Sequence, residues 1–311
     1  MKKTRWNRWV AVISLLACGA LHAEDEPLKD TFLPTVAAHA NWVFSGVITN
    51  ESGESYGYFF QMQRDQDSFH AVTALFDGQT KKVILSDNSN ALLTEPNTYN
   101  WKVGDSFLRF NPITDSWVFG MKTPDKKGFN FKIDMLSQNE SKPAIQHLRS
   151  GMELLVGQTG RLNGHIRDGE HKEQFVTGKN AWFRQIWLTE NQKKPHTFSG
   201  VLCRFNDGSG FYSVNMREAD AVRGAITGAC NAQGTSIAIS QFINVAADKS
   251  GQWRIKITSP KLDAVLQDSL QQNSVISGYI SQHEKQGFCM LSETTLGIEK
   301  DQSVSLMQPK A

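Results

Sequence analysis

What most restricts the fold of this chain is a period-two alternation of apolar and polar residues, interrupted by turn chemistry every eight to twelve residues or so. Trp42, Phe44 and Ile48 share one face of a strand. Beyond the turn-forming Asn50-Glu51-Ser52-Gly53, Tyr56, Tyr58, Phe60 and Met62 share a face of the next. The pattern repeats over 70–76 and 80–86 around Asp77-Gly78, and again over 106–111, 116–121, 129–135 and 160–167. In the second half, Val201, Cys203 and Phe205 lead into Asn206-Asp207-Gly208-Ser209-Gly210, and the chain returns through Tyr212, Val214 and Met216. Further strands are expected at 223–229, 236–244, 252–258, 274–281 and 287–294. This rhythm specifies an all-β sandwich or barrel. One stretch departs from it: Leu262, Val265, Leu266 and Leu270 are spaced for a helix face, so 261–271 reads as a short helix.

A chain of 311 residues can form one large domain or two ordinary ones. The halves share a pattern but not their residues. The least structured candidate for a boundary is the polar stretch Ser137 to Ser150, which contains Lys142-Pro143. We divide the chain into a leader at 1–23, an N-terminal β domain at 24–160 and a C-terminal β domain at 161–311.

The leader has a basic start (Lys2, Lys3, Arg5, Arg8), an apolar run from Trp9 to Leu21 and small residues before Ala23. The apolar run reaches only about 20 Å as a helix, short of a hydrocarbon core of roughly 30 Å. It reads as a secretory signal, placing the mature protein in the periplasm or outside the cell. Leu15-Leu16-Ala17-Cys18 also fits a lipoprotein box, which would anchor the chain to a membrane through Cys18. Without residues 1–23, 29 basic residues face 31 acidic ones, a balance that argues against a nucleic-acid partner. Cleavage after Ala23 leaves Cys203, Cys230 and Cys289, an odd number. Cys203 and Cys230 could pair across neighbouring hairpins, or all three could be buried thiols.

Several local patterns carry chemistry elsewhere. Gly53-Glu54-Ser55-Tyr56-Gly57 matches G-x-S-x-G, yet a nucleophile there needs a strand, a strained turn and a helix. Here a strand follows, so Ser55 falls in a hairpin. His165, Asp168, Glu170 and His171 lie close together, but Arg167-Asp168-Gly169-Glu170 reads as a solvated hairpin tip and no metal is assigned.

The most distinctive segment is Val176-Thr177-Gly178-Lys179-Asn180-Ala181-Trp182-Phe183-Arg184-Gln185-Ile186-Trp187. It resembles the signature in the second half of the hydroxyneurosporene synthase (carotenoid hydratase) and AttH-like family. Pieces in the same order extend the resemblance from about Trp42 to Leu296. They include Trp42-Val43-Phe44, Gly57 to Phe60, Phe76-Asp77, Leu202 to Gly208, Tyr212 to Arg217, Trp253, Pro260, Gly278 and Gly287 to Thr294. The resemblance implies an all-β chain of two lipocalin-like β-barrel halves. It also implies a hydratase, isomerase or hydrolase activity acting through an aspartate. That position is Arg184 here, and Ile186 stands where a second polar residue is common. The strand before the motif reads Glu153-Leu154-Leu155-Val156, without the usual tyrosine.

Protonating an unactivated double bond calls for a positioned carboxylic acid, and arginine is a poor proton donor. The first expectation is therefore an exported protein that binds an apolar or amphipathic, lipid- or isoprenoid-like molecule without catalysis and without a cofactor. Trp182, Arg184, Trp187, Tyr56, Tyr58 and Asp77 are its candidate ligand-binding residues. Arg184 either stacks on an indole and grips a carboxylate or forms a structural ion pair; Glu293, Asp77 and Asp207 are the acids to check beside it. The second expectation is an enzyme using another acid, Glu293, although an alternative register places Ser292 there. The third is a structural envelope protein with a collapsed pocket.

Overall fold

The structure, a computed structural model, describes residues 37–297 apart from 96–97, 136–145, 150, 160, 168–172, 191–193, 219–220, 242, 249–250 and 283–284. The leader, Cys18, Asp168, Glu170 and His171 lie outside the described residues, as does most of the 137–150 stretch. Every regular element among the described residues is a β-strand.

The first half contributes β1 (His39–Asn50), β2 (Ser55–Asp65), β3 (Ser68–Asp77), β4 (Val83–Leu92), β5 (Asn100–Val103), β6 (Ser106–Asn111) and β7 (Ser116–Lys122). It continues with β8 (Gly128–Asp134), β9 (Gln146–Arg149), β10 (Met152–Thr159), β11 (Leu162–Arg167), β12 (Glu173–Gly178) and β13 (Ala181–Leu188). These form one 13-stranded sheet running β4-β3-β2-β1-β12-β11-β8-β7-β6-β5, with β13, β10 and β9 branching from β1. The second sheet has nine strands. They are β14 (His196–Phe205), β15 (Gly210–Glu218), β16 (Ala221–Cys230), β17 (Ser236–Ile237), β18 (Ile243–Ala247), β19 (Trp253–Ile257), β20 (Leu262–Gln272), β21 (Val275–Gln282) and β22 (Lys285–Leu296). Its order is β17-β16-β15-β14-β22-β21-β20-β19-β18. The chain changes sheets between Leu188 and His196, so an expected boundary after residue 160 falls between two strands of the first sheet.

Chain connectivity explains why both sheets curl. The strands β17 and β18 are opposite edges of the second sheet, yet the link from Ile237 to Ile243 can span only about 20 Å. The edges are therefore drawn together across an open seam, and the single strand expected over 236–244 is two short edge pieces. In the first sheet, edges β4 and β5 are joined by another short link, and Asp87 of β4 accepts hydrogen bonds from the Ser106 amide (3.0 Å) and hydroxyl (2.7 Å) at the start of β6. The fold is all-β, with two lipocalin-like barrel halves.

Alternation assigns each strand's two faces. Trp42, Phe44, Tyr58, Phe60 and Met62 point into the first barrel, where rings fill the interior. Phe44 stacks on Phe119 at 4.3 Å, Trp42 on Trp101 at 5.0 Å, and Tyr58 meets Phe131 edge-on at 5.1 Å. The opposite face carries Val43, Phe59 and Phe76, which pack against Tyr279, Phe288 and Met290 of the second sheet in one buried cluster. Gly57 is required at this seam. Its amide donates to the Tyr279 hydroxyl at 2.6 Å, and a Cβ there would collide with the Phe288 ring. The last glycine of the G-x-S-x-G pattern thus serves sheet packing, and Ser55 opens β2 after a hairpin turn.

Two expectations are corrected. Residues 261–271 are not helical but belong to β20. Leu262, Ala264 and Leu266 alternate inward as a strand requires; Val265, which gave the spacing its helical look, lies on the other face, and a register shift between Gln267 and Leu270 puts Leu270 on that other face as well. Cys203 pairs with Cys289, not with Cys230. The two are directly opposite on β14 and β22, with Cα atoms 4.2 Å apart, while Cys230 is a buried free thiol.

Candidate functional site

The Val176–Trp187 motif forms the fork of the first sheet. Thr49 and Asn50 at the end of β1 pair with Thr177 and Val176, whereas Ala40 to Ser45 pair with Trp187 to Trp182. Strands β12 and β13 are thus one interrupted strand along β1, broken at Asn180, which has a positive φ of 53°. Beyond the break β13 recruits β10, and the motif's side chains reach the second sheet. The Trp182 Nε1–H donates to the Cys203 carbonyl at 2.8 Å, and the Asn180 amide donates to the Gly208 carbonyl at 3.3 Å.

An arginine does stack on Trp182, but it is Arg204 of β14, whose guanidinium carbon lies 4.4 Å from the ring centroid. Arg204 also donates to the Gly208 carbonyl (2.6 Å), to Cys230 Sγ (3.0 Å) and to Gln158 Oε1 (3.4 Å). Burial pulls its pKa below the usual arginine value. Arg184 sits one residue pair along the same face, 1% exposed, with Nη2 donating to Asn41 Oδ1 at 2.9 Å. None of Glu293, Asp77 and Asp207 forms an ion pair with it. Burial lowers its pKa to about 10, so it remains charged at neutral pH.

The other candidates are spread over separate places. Trp187 is buried on the opposite face of β13 from Trp182. Tyr56 lies at a barrel rim, its hydroxyl bonded to Gln174 (3.1 Å) and Glu54 (3.3 Å). Tyr58 is fully buried among rings, its hydroxyl has no partner among the described residues, and burial holds its pKa far above the phenol range. Asp77 caps its own turn by accepting from the Gln79 and Thr80 amides and the Thr80 hydroxyl. These residues do not surround one cavity. Of His165, Asp168, Glu170 and His171, read from the sequence as a hairpin tip and its flanks, only His165 is described, and its ring packs on Phe175 at 5.4 Å.

Glu293 is placed differently. It lines a cavity of about 430 Å³ at one end of the second barrel. Strand register builds this cavity in layers. Glu293, Ser199 and Asn215 lie side by side on β22, β14 and β15. Arg217, two residues beyond Asn215, places Nη1 4.0 Å from Glu293 Oε2. One layer deeper are Leu291, Val201 and Ser213, and below them the Cys203–Cys289 disulfide sits in an apolar cluster with Phe211, Ile255 and Ile280. Trp253, Ile243 and Val245 supply the opposite wall. The mouth is therefore polar and charged, the walls are apolar, and the floor is closed.

A second, larger cavity of about 880 Å³ opens at the other end of the same strands, between Phe205, Phe211, Ile257 and Leu262. Its rim carries Asp207 paired with Lys285 at 2.8 Å. Burial works against ionisation of Asp207, but hydrogen bonds from Lys285 and Ser209 hold its pKa below the usual carboxylate value. This cavity also has polar lining, including Asn231, Gln233 and Gln282, but its one lining acid, Asp207, is tied to Lys285 at 2.8 Å and to the Ser209 hydroxyl. Glu293 is held less closely, 4.0 Å from Arg217, and polar groups that can still turn to a bound molecule orient it, so the Glu293–Arg217 cavity is taken as the candidate site.

The sequence reading missed Ser199, Ser213, Asn215, Arg217 and Trp253. It followed the apolar alternation of Tyr212, Val214 and Met216, which is the face packed against the first sheet. The intervening polar residues resemble a solvated face, and only closure of the barrel turns them inward.

No protein-family model matches the chain, and no curated protein does. Solved structures do. The chain is similar to a protein assigned as AttH from Nitrosomonas europaea, with a TM-score of 0.56 and 14% identity over 86% of this chain and 96% of that one. It is also similar to kievitone hydratase from Nectria haematococca, with a TM-score of 0.50 and 11% identity over 86% and 94%. At such identities the likeness establishes the fold.

Proposed function

We propose that this protein binds an amphipathic small molecule in the Glu293–Arg217 cavity of the second barrel. The observation that carries the reading is the layering of that cavity. Arg217, Glu293 and Asn215 at the mouth fit a polar or charged head, and Trp253, Ile243, Val245 and Leu291 fit an apolar body. Its volume lies within the ordinary range for ligand pockets, roughly 300–1,000 Å³. The site proposed from the Trp182 motif gives way to this one, because Trp182 and Arg184 are enclosed between the sheets.

The test is titration with 1-anilinonaphthalene-8-sulfonate, an amphipathic anion whose fluorescence rises in apolar surroundings. Wild type should bind it at one site, Trp253→Ala should weaken binding at least tenfold, and Arg217→Met should weaken it by a similar factor. Unchanged binding in both folded variants would refute the placement.

A second reading, acid catalysis on the bound molecule, is favoured by one observation: Glu293 is the single carboxylate among the residues lining this cavity. A general acid must lie within hydrogen-bond reach of the atom it protonates, and Glu293 is positioned for a ligand in the mouth. If it acts so, Glu293→Gln retains binding and abolishes turnover.

The mature chain is further proposed to work in the periplasm or outside the cell. The leader supports this, and so does the Cys203–Cys289 disulfide, a bond that persists in oxidising compartments. The N-terminal residue of protein recovered from a periplasmic extract tests it: Glu24 supports simple cleavage, whereas a lipidated Cys18 would indicate an anchored form.

A further inference from the structure

A second polar feature lies away from the cavity, on the face of the first sheet that packs against the second. Strand register sets three polar side chains around Val43. Gln61 of β2 is opposite Val43 on one side and Arg184 of β13 is opposite it on the other, with Asn41 two residues along β1. All three project from the face that carries Phe59, Ile186 and Trp182. All are buried, at 1%, 1% and 0% exposure respectively.

Their hydrogen bonding is one-sided. Asn41 Oδ1 accepts from Arg184 Nη2, which leaves the Asn41 Nδ2–H₂ group to act as a donor. That donor has no partner among the described residues, nor do Arg184 Nε and Nη1 or either amide atom of Gln61. Arg184 is flanked in register by Val43 and Val156 and along its strand by Trp182 and Ile186. A guanidinium is thus held in an apolar cluster with most of its N–H groups unanswered and, among the described residues, no acid paired with it. Burying an unpaired charge is strongly unfavourable, and a water would satisfy a donor without supplying the opposite charge.

We propose that Arg184, Asn41 and Gln61 form an internal site for a small monovalent anion of the halide class, bound between the two sheets. Arg184 Nε and Nη1, Asn41 Nδ2 and Gln61 Nε2 are its donors. The apolar residues around them favour a monatomic ion over a carboxylate-bearing molecule. The anion is a structural component that lets an arginine occupy this position, and it is independent of the ligand in the second barrel.

The test compares thermal unfolding of the mature protein in sodium bromide and in sodium gluconate at equal ionic strength, alongside diffraction at the bromine edge from bromide-grown crystals. Because a ligand that binds only the folded state stabilises it by mass action, bromide should raise the melting temperature by several degrees and then saturate. Arg184→Met should lose that dependence, and an anomalous peak should touch Arg184 Nε and Nη1. Equal melting of the wild type in both salts would overturn the proposal. So would a bromide effect that persists in Arg184→Met, or water alone at the three side chains. If Arg184→Met fails to fold, the wild-type salt comparison and the anomalous map decide the matter.

Discussion

Arg204 places its guanidinium carbon over the Trp182 ring, 4.4 Å from the centroid, while the same indole donates its N–H to the carbonyl of Cys203, the residue before Arg204. One strand of the second sheet is thereby fixed to the fork of the first at two points. Trp182→Phe keeps much of the packing but loses the hydrogen bond and the better cation–π face. It should destabilise the protein by about 2 kcal/mol in urea unfolding. Wild-type stability in that variant would show that the stacked pair does not tie the sheets together.

Gly57 makes a sharper prediction, because its missing Cβ is filled by Phe288. Gly57→Ala should cost about 1–3 kcal/mol through overpacking. The double variant with Phe288→Leu should recover part of the loss. A simple sum of the two costs would place the clash elsewhere.

Tyr58 offers a substitution that should not harm the protein. Its hydroxyl is buried without a partner among the described residues, so Tyr58→Phe should be neutral or stabilising by about 1 kcal/mol at pH 7. Burial raises the folded-state pKa of this phenol above its ordinary value of 10.0. Stability linked to it is therefore complete below pH 10 and falls as pH rises beyond, where the unfolded chain releases a proton that the folded chain retains. Tyr58→Phe should flatten that alkaline loss in unfolding measured from pH 8 to 11; an unchanged slope would contradict it.

The disulfide is tested by peptide mapping without reduction. Cys203 and Cys289 should appear in one cross-linked pair and Cys230 as a free thiol, and Cys230→Ser should leave the cross-link intact. Replacing both Cys203 and Cys289 by alanine should cost about 2–4 kcal/mol. A Cys203–Cys230 peptide would refute the β14–β22 register.

Most of the barrel walls could be read from local alternation, as Trp42 to Ile48 and Tyr56 to Met62 illustrate. What local pattern could not supply was distance along the chain. Cys203 has a hairpin neighbour in β15, but its partner comes from β22, 86 residues later. Val265 beside Leu266 imitated a helix face, and the bulge in β20 that turns Leu270 to the other side of the sheet leaves no mark in the spacing. Of the candidate site, only Glu293 was found. Ser199, Asn215 and Arg217 are ordinary polar residues until register aligns them with Glu293 across three strands, whereas Trp182 drew notice for a motif whose work is to join the sheets.

The most direct measurement is native mass spectrometry of the protein purified from its native cells, compared with an Asn215→Trp variant that fills the mouth of the second barrel. The account predicts one amphipathic small molecule per wild-type chain, released on denaturation, and none on the folded variant. The same molecule retained by Asn215→Trp, or a wild-type chain that takes up no amphipathic compound even when saturated with candidates, would contradict it.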